Sequence, residues 1–286
     1  MRRLGLLAPS WRLPARDKSI PAWDRLESEQ QEDLVERMSV YAAQVELMDA
    51  GIGKLTKTLA ENGQLKNTLI LFVSDNGASA EGGQFGFERR PGGTIGTANS
   101  FASYGKGWAS LSTPPFRSYK QRVPEGGIAT PLIAHWPTKI IERGRLRTDP
   151  THFIDIMPTI LEAAKATHPD ERFGKAVPPL EGSSLIPLFK GMAPNSRELF
   201  WEHEGHRAVR QGHWKLVSKY SQPWELYHLD QDRTETNNVA SQYPSIVKDL
   251  DERWNSFGSS TGVLPLDGRP WNERIPADYA AAGPTT

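Results

Sequence analysis

The sequence of 286 residues contains no cysteine. That excludes a disulfide framework, a cysteine-ligated zinc and a thiol nucleophile. It leaves the compartment open, because an oxidising space does not require cysteines. Net charge is missing too: 34 basic side chains balance 34 acidic ones. Nucleic acid and anionic membrane surfaces therefore find no electrostatic footprint, although a few local cations can still hold one small anion. No apolar run approaches the length of a membrane span. The basic start Met1-Arg2-Arg3 leads into an apolar stretch that stops at Pro9 and Trp11, too short for the core of a secretory signal. No internal repeat is visible.

What is present reads as helix and strand in alternation. Residues 8–26, rich in Pro, Trp and charge, read as an extended arm. Val40, Tyr41, Val45, Met48, Ile52, Leu55 and Leu59 recur at three- and four-residue steps. They predict an amphipathic helix over 29–62, stopped by Asn62-Gly63. Thr68–Val73 is an unbroken run, the pattern of a strand buried on both faces in a parallel sheet. A helix followed by such a strand supports an α/β fold. Residues 77–115, rich in Gly, Ser and Thr, read as one long loop. A second strand is predicted over 127–136, and a helix over 153–164 with Pro158 in its first turn. Beyond a Pro- and Gly-rich stretch at 174–195, short strands at 198–203, 207–211, 213–218 and 224–229 predict a small antiparallel sheet, covered by a helix after Pro244. The expected organisation is three-part. Residues 1–195 form part of a larger α/β domain, with a partial mixed or parallel sheet sandwiched by helices. Residues 196–260 form a small C-terminal α+β subdomain, and 261–286 a loose tail.

Two features carry chemistry. Asp75-Asn76 follows the buried strand, and sites gather at the carboxyl ends of strands in open α/β sheets. A carboxylate and an amide oxygen are hard donors suited to Ca²⁺ or Mg²⁺, although Asp-Asn-Gly on its own is also good turn chemistry. The second feature is Lys120 followed by Glu125-Gly126-Gly127. The lysine offers a point charge for a sulfate or phosphate oxygen, Glu125 can pair with a cation, and the glycines let the backbone turn sharply.

Taken in order, these segments resemble the type I sulfatases of the alkaline phosphatase superfamily. Arg37–Ala43 with Met48-Asp49 is similar to that family's helix before the metal strand, and Phe72–Gly77 to the strand itself. Lys120 with Glu125-Gly126-Gly127 matches the spacing of its sulfate-binding lysine. Thr130-Pro131, His135-Trp136-Pro137 and Asp155–Thr159 follow as in bacterial arylsulfatases. Glu225–Asp230, then Glu235, Asn237 and Asn238, resembles the C-terminal signature. The resemblance runs from Leu4 to Trp254. It implies that Asp75 and Asn76 supply part of a Ca²⁺ shell, that Asn76 lies near the transferred sulfate, and that Lys120 binds a sulfate oxygen. It further implies hydrolysis of a small-molecule or carbohydrate sulfate ester by a formylglycine hydrate, in a periplasmic or secreted enzyme. Phosphoester and phosphonate hydrolases of the same superfamily are the alternative. Its zinc-dependent members need several histidines near the metal strand, and none lies between Gly51 and Glu125.

The family pattern breaks in one place. Formylglycine is made from the first residue of a Cys/Ser-x-Pro-x-Arg motif, and no such motif occurs here. Ser112–Arg117 comes nearest, with Phe116 where arginine is required. The acidic calcium ligands and the sulfate-contacting Lys and His that precede the metal strand in the family have no counterpart before Asp75 either. The expectation is a C-terminal part that is inactive alone toward aryl sulfates, that leaves an exposed edge at Thr68–Val73, and that aggregates. A truncated, non-catalytic protein is the non-enzyme reading. Among the remaining residues, His203 and His206 read as structural or rim residues and His135 as a packed strand end. Trp136, Trp214 and Trp254 read as core, and Trp108 as the tryptophan placed to meet substrate.

Overall fold

The computed structural model describes residues 1–5, 7–194 and 196–274. In chain order its elements are α1 (Ser28–Glu61), β1 (Ile70–Val73), α2 (Gly105–Ser112), α3 (Glu125–Ile128), β2 (Leu132–His135), α4 (Ile156–Ala164), β3 (Glu171–Arg172), β4 (Lys175–Ala176), α5 (Ile186–Phe189), β5 (Glu198–His203), β6 (His206–Gln211), β7 (Trp214–Ser218), β8 (Glu225–His228), α6 (Pro244–Ser260) and α7 (Trp271–Arg274). The α/β class and the small C-terminal sheet with its helix are as the sequence predicts. The chain divides into two compact units. One comprises Leu47–Asp75 and Pro131–Ser196; the other comprises Met1–Glu46, Asn76–Thr130 and the residues from Arg197 on.

α1 ends where predicted. Gly63 takes φ 68°, its N–H bonds the Ala60 carbonyl at 3.0 Å, and the Gln64 N–H bonds the Leu59 carbonyl at 2.8 Å. These paired bonds are a Schellman stop, which a left-handed glycine permits at no steric cost. Of the helix only Leu34 is buried, while Tyr41, Val45, Met48 and Leu55 are exposed. The apolar stripe lies where its period put it, but it is covered only in part: Val40, Ile52 and Leu59 are half-buried, and Tyr41 stacks on Tyr104 with ring centroids 4.9 Å apart. Gly53 lies on this exposed stretch with open space around its missing Cβ. Gly53→Ala is expected to raise stability by about 0.5–1 kcal/mol, read as a higher melting temperature.

In the first unit, β1 and β2 pair antiparallel, with Leu71 opposite Ala134 and Phe72 opposite Ile133. This corrects the parallel pairing suggested by the unbroken apolar run. Leu69, Leu71, Leu132 and Ala134 pack on Trp136, Leu185, Ile186 and Phe189. Phe72 and Ile133, on the other face, are exposed. One covered and one open face is the ordinary state of an antiparallel pair. The second strand is also shorter than predicted, because Gly127-Ile128 belongs to α3. Asp155 and Thr159 form the buried hub of this unit. The Asp155 carboxylate accepts from the His152 and Ser183 N–H groups at 2.8 and 2.9 Å. The Thr159 hydroxyl donates to the Asp155 carbonyl at 2.6 Å and accepts from the Leu185 N–H at 2.8 Å.

In the second unit, β5-β6-β7-β8 form an antiparallel meander in chain order. The β5–β6 turn is Glu204-Gly205, both at positive φ, a two-residue loop whose twist matches the strands. Alternation gives each face its own partner. Val209, Leu216 and Leu226 meet Leu250 and Trp254 of α6, both fully buried. Ala208, Val217, Tyr227 and Leu229 meet Val123. The sheet is thus covered by a helix on one side and by the 117–127 segment on the other. Val263, Leu264 and Leu266, in the stretch expected to be loose, pack against the α6 face. The rest of that expected tail, 275–286, lies outside the described residues.

The long loop predicted at 77–115 contains α2, and it is tied to the N-terminal arm and to α1. Lys106 pairs with Asp17 at 2.9 Å, and the Tyr119 hydroxyl donates to Asp17 at 2.9 Å. Burial works against the Asp17 carboxylate, yet these donors and Ser19 hold its pKa below the usual carboxylate range. Arg37 donates to the carbonyls of Phe87 and Ser103 at 2.9 and 2.8 Å. Trp108, half-buried, is a strut here. Its indole N–H donates to the Leu34 carbonyl at 2.8 Å and its ring meets Trp23 at 5.7 Å.

Candidate active site

The segment leaving β1 and the segment around Lys120 meet through their backbones. The Gly77 N–H donates to the Gly127 carbonyl at 2.9 Å, and the Lys120 N–H to the Ala78 carbonyl at 3.0 Å. Three glycines make this approach possible. A Cβ on Gly77 would overlap the Gly126 carbonyl, one on Gly126 the Arg117 carbonyl, and one on Gly127 the Arg122 carbonyl. None of the three needs a left-handed φ, so their requirement is for space rather than conformational freedom. Ser118 and Gln121, either side of Lys120, do take positive φ of 68° and 70°. The result is a tightly wound loop that presents one lysine.

Asn76 and Lys120 are therefore brought into one loop cluster. The Asn76 amide donates to the Gly77 carbonyl at 2.8 Å, which fixes its orientation. Asp75, exposed, closes the other unit and is peptide-bonded to Asn76. The Asp75 carboxylate and the Asn76 amide oxygen match calcium in kind. They fall short in number, since Ca²⁺ takes roughly six to eight oxygens. Among the described residues no group of three or more His, Cys, Asp or Glu is placed to hold a metal ion.

Lys120 has a partner that sequence reading missed. Its Nζ lies 3.1 Å from Glu81 Oε1, with both side chains about one-third exposed. The Ser79 hydroxyl donates to Glu81 Oε2 at 3.3 Å, and the Ser103 hydroxyl to the Glu81 carbonyl at 2.8 Å. Nothing in the Gly- and Ser-rich stretch around Glu81 marks it as a partner for Lys120.

Behind the loop lies a buried charge cluster. Alternation along β7 puts Lys215 on the face of Val217 and Tyr227, facing the 117–127 segment. Fully buried, its Nζ lies 2.7 Å from Glu125 Oε1 and 3.0 Å from Glu235 Oε1. Glu125 Oε2 accepts from Arg233 Nε at 3.2 Å, and the Glu125 N–H donates to Glu235 Oε2 at 2.8 Å. Arg117 reaches Glu225 at 2.5 Å and Glu235 at 3.5 Å. Burial pushes the Glu125 carboxyl up, but Lys215 and Arg233 outweigh it and hold its pKa below the ordinary value. For Glu235 burial prevails over Lys215, with Glu125 adding to it, and the pKa is raised. The cation that Glu125 was expected to find is thus a buried lysine of the C-terminal sheet, and the pair anchors the Lys120 loop.

His206 has a structural place in this arrangement. His206 meets Arg122 through Nε2 and accepts the Tyr220 N–H at Nδ1, at 3.1 Å. Burial and the Arg122 charge depress its pKa to about 4. Trp136 and Trp254 are core, as predicted. No helix among the described residues is long and apolar enough to cross a membrane.

Comparison with known proteins gives this arrangement a family. The Sulfatase family model matches residues 13–166, and the model described as N-sulphoglucosamine sulphohydrolase, C-terminal, matches residues 117–259. An uncharacterized sulfatase of Schizosaccharomyces pombe is 35% identical over 271 residues, 88% of this chain and 48% of that protein. An arylsulfatase of Klebsiella aerogenes is 34% identical over 195 residues, 65% of this chain and 41% of that protein. Among solved structures, Ps i-CgsB in complex with k-i-k-neocarrahexaose superposes with a TM-score of 0.59 at 24% identity, over 84% of this chain and 48% of that one. The chain spans about half the length of the curated relatives it matches. It belongs to the sulfatase family.

Proposed function

We propose that this chain carries part of the active site of a sulfuric ester hydrolase. In this reading Lys120 holds a sulfate oxygen, and Asp75 and Asn76 give two oxygens to a calcium shell. The observation that carries the reading is the pair of backbone bonds, Gly77 to Gly127 and Lys120 to Ala78, that fixes Asn76 and Lys120 in one cluster. Lys120 Nζ supplies a point charge for an anionic oxygen, and the wound loop beneath it limits where that charge can go. The Asn76 amide, oriented by Gly77, presents an oxygen at the strand end. A bound calcium would offset sulfate charge and orient a nucleophile. The nucleophile and the remaining calcium ligands come, in this proposal, from residues other than these 286. Support for a sulfate ester comes from the arylsulfatase relative, and for a carbohydrate version of it from the saccharide-bound neighbour.

Calorimetric titration of the chain with Ca²⁺ tests the ligand assignment. Weak binding, lost by at least about ten-fold in Asp75→Ala, is the expected result for a carboxylate in the shell. Equal affinity of the two proteins would remove Asp75 from the site. Hydrolysis of p-nitrophenyl sulfate by the chain alone is expected at the buffer rate, and sustained turnover would contradict an external nucleophile.

A further inference from the structure

The ammonium proposed to hold sulfate already has an anion beside it. Glu81 Oε1 stands 3.1 Å from Lys120 Nζ, inside the same loop cluster as Asn76. This differs from an incidental surface pair in how Glu81 is held. Its second oxygen takes the Ser79 hydroxyl, and its carbonyl takes the Ser103 hydroxyl, which also accepts the Phe87 N–H at 3.0 Å. Lys120 is fixed from its own side by the backbone bond to Ala78. A carboxylate thus stands at a set place beside the cation that an anionic substrate would use.

We infer that Glu81 is a specificity-determining residue, which sets the charge of the ester that Lys120 accepts. The inference rests on the assignment of Lys120 to the sulfate. A sulfate monoester carries one negative charge, and a phosphate monoester above its second ionisation carries two. An ester oxygen that approaches Lys120 comes within a few ångströms of Glu81. It meets attraction from one charge and repulsion from the other, and the repulsion doubles for the dianion. Glu81 therefore lowers affinity for both esters, and lowers it more for phosphate. The cost to the monoanion is smaller because it brings one negative charge toward Glu81 where the dianion brings two. The carboxylate acts as a filter that favours singly charged sulfate esters over doubly charged phosphate esters of the same shape.

The test is calorimetric titration of the full chain with phenyl sulfate and with phenyl phosphate at pH 8, for the native protein, Glu81→Gln, Glu81→Ala and Lys120→Ala. In both Glu81 variants the phosphate affinity is expected to rise about three- to ten-fold more than the sulfate affinity, the range for one partly solvated charge a few ångströms away. Lys120→Ala is expected to weaken both esters. A ratio of the two affinities that stays unchanged in Glu81→Gln and Glu81→Ala overturns the filter. Unchanged sulfate affinity in Lys120→Ala, or no binding of phenyl sulfate to the native chain, instead overturns the Lys120 assignment on which the filter rests. Glu81→Gln keeps the shape of the side chain, so a shared result in both Glu81 variants reports charge rather than packing.

Discussion

Lys215→Met is expected to destabilise the protein by about 3–5 kcal/mol, measured as a lower urea midpoint. The size follows from what the substitution leaves behind. Glu125 and Glu235 are buried, and Lys215 is the cation nearest to both, at 2.7 and 3.0 Å. Methionine fills the stem's volume, so little packing is lost, and the cost falls on two carboxylates left facing each other. Removing one charge with Glu235→Gln in the Lys215→Met background should recover at least about 1 kcal/mol, the signature of charges coupled in one network. An exposed pair such as Lys248 and Glu252, 3.8 Å apart, gives the contrast: Lys248→Met should change stability by less than about 1 kcal/mol.

The pH dependence of the same variant has a definite sign. Glu125 has a depressed folded pKa, so its stabilising contribution is present above the unfolded carboxyl value and is lost as pH falls through the folded one. Glu235 has a raised folded pKa, so its ionisation costs stability as pH rises from the unfolded value toward the folded one. In the native protein the two oppose each other. Without Lys215 both carboxyls lose their nearest cation and both pKa values move up. Stability of the Lys215→Met protein should then fall as pH rises above about 4.3, the unfolded glutamate value, with the gap from the native protein wider at pH 8 than at pH 5. A constant gap would mean that packing, not charge, is what Lys215 contributes.

This cluster also marks where reading the sequence stops. The four C-terminal strands were legible because Glu204-Gly205 and Gly212 break a patterned stretch at short intervals, and α1 because Asn62-Gly63 ends a clear period. The partner of β1 was not legible. An apolar run of four to six residues states burial, while pairing direction is set by β2, more than fifty residues on. Gly126-Gly127 were legible as a place where the backbone turns sharply, while Lys120 stood out only through the family resemblance. Glu81, Lys215 and Glu235 were not legible, since each acquires its role from a residue 39 to 110 positions distant. A lysine between Trp214 and Leu216 looks solvated until both faces of its sheet are known to be covered.

Gly127→Ala is expected to lower stability by about 3 kcal/mol or more and, in the protein that remains folded, to weaken Ca²⁺ and phenyl sulfate binding together. The added methyl would occupy the place of the Arg122 carbonyl and stand 2.6 Å from that of Tyr119. Backbone on both sides cannot swing away as a side chain can, so the loop must unwind. As it does, the Gly77–Gly127 bond that fixes Asn76 beside Lys120 is lost. Gly77→Ala should reproduce this from the opposite strand, because its methyl meets the Gly126 carbonyl. Gly83 separates steric from conformational need. It has φ 70° and open space around its missing Cβ, so Gly83→Ala should cost only about 1–2 kcal/mol, the strain of a left-handed alanine, and leave ligand binding intact. Thermal melts and titrations of the three variants would show Gly77 and Gly127 together and Gly83 apart. Gly127→Ala melting with the native protein would mean that the two segments do not pack this closely, and the placement of Asn76 beside Lys120 would fall with it.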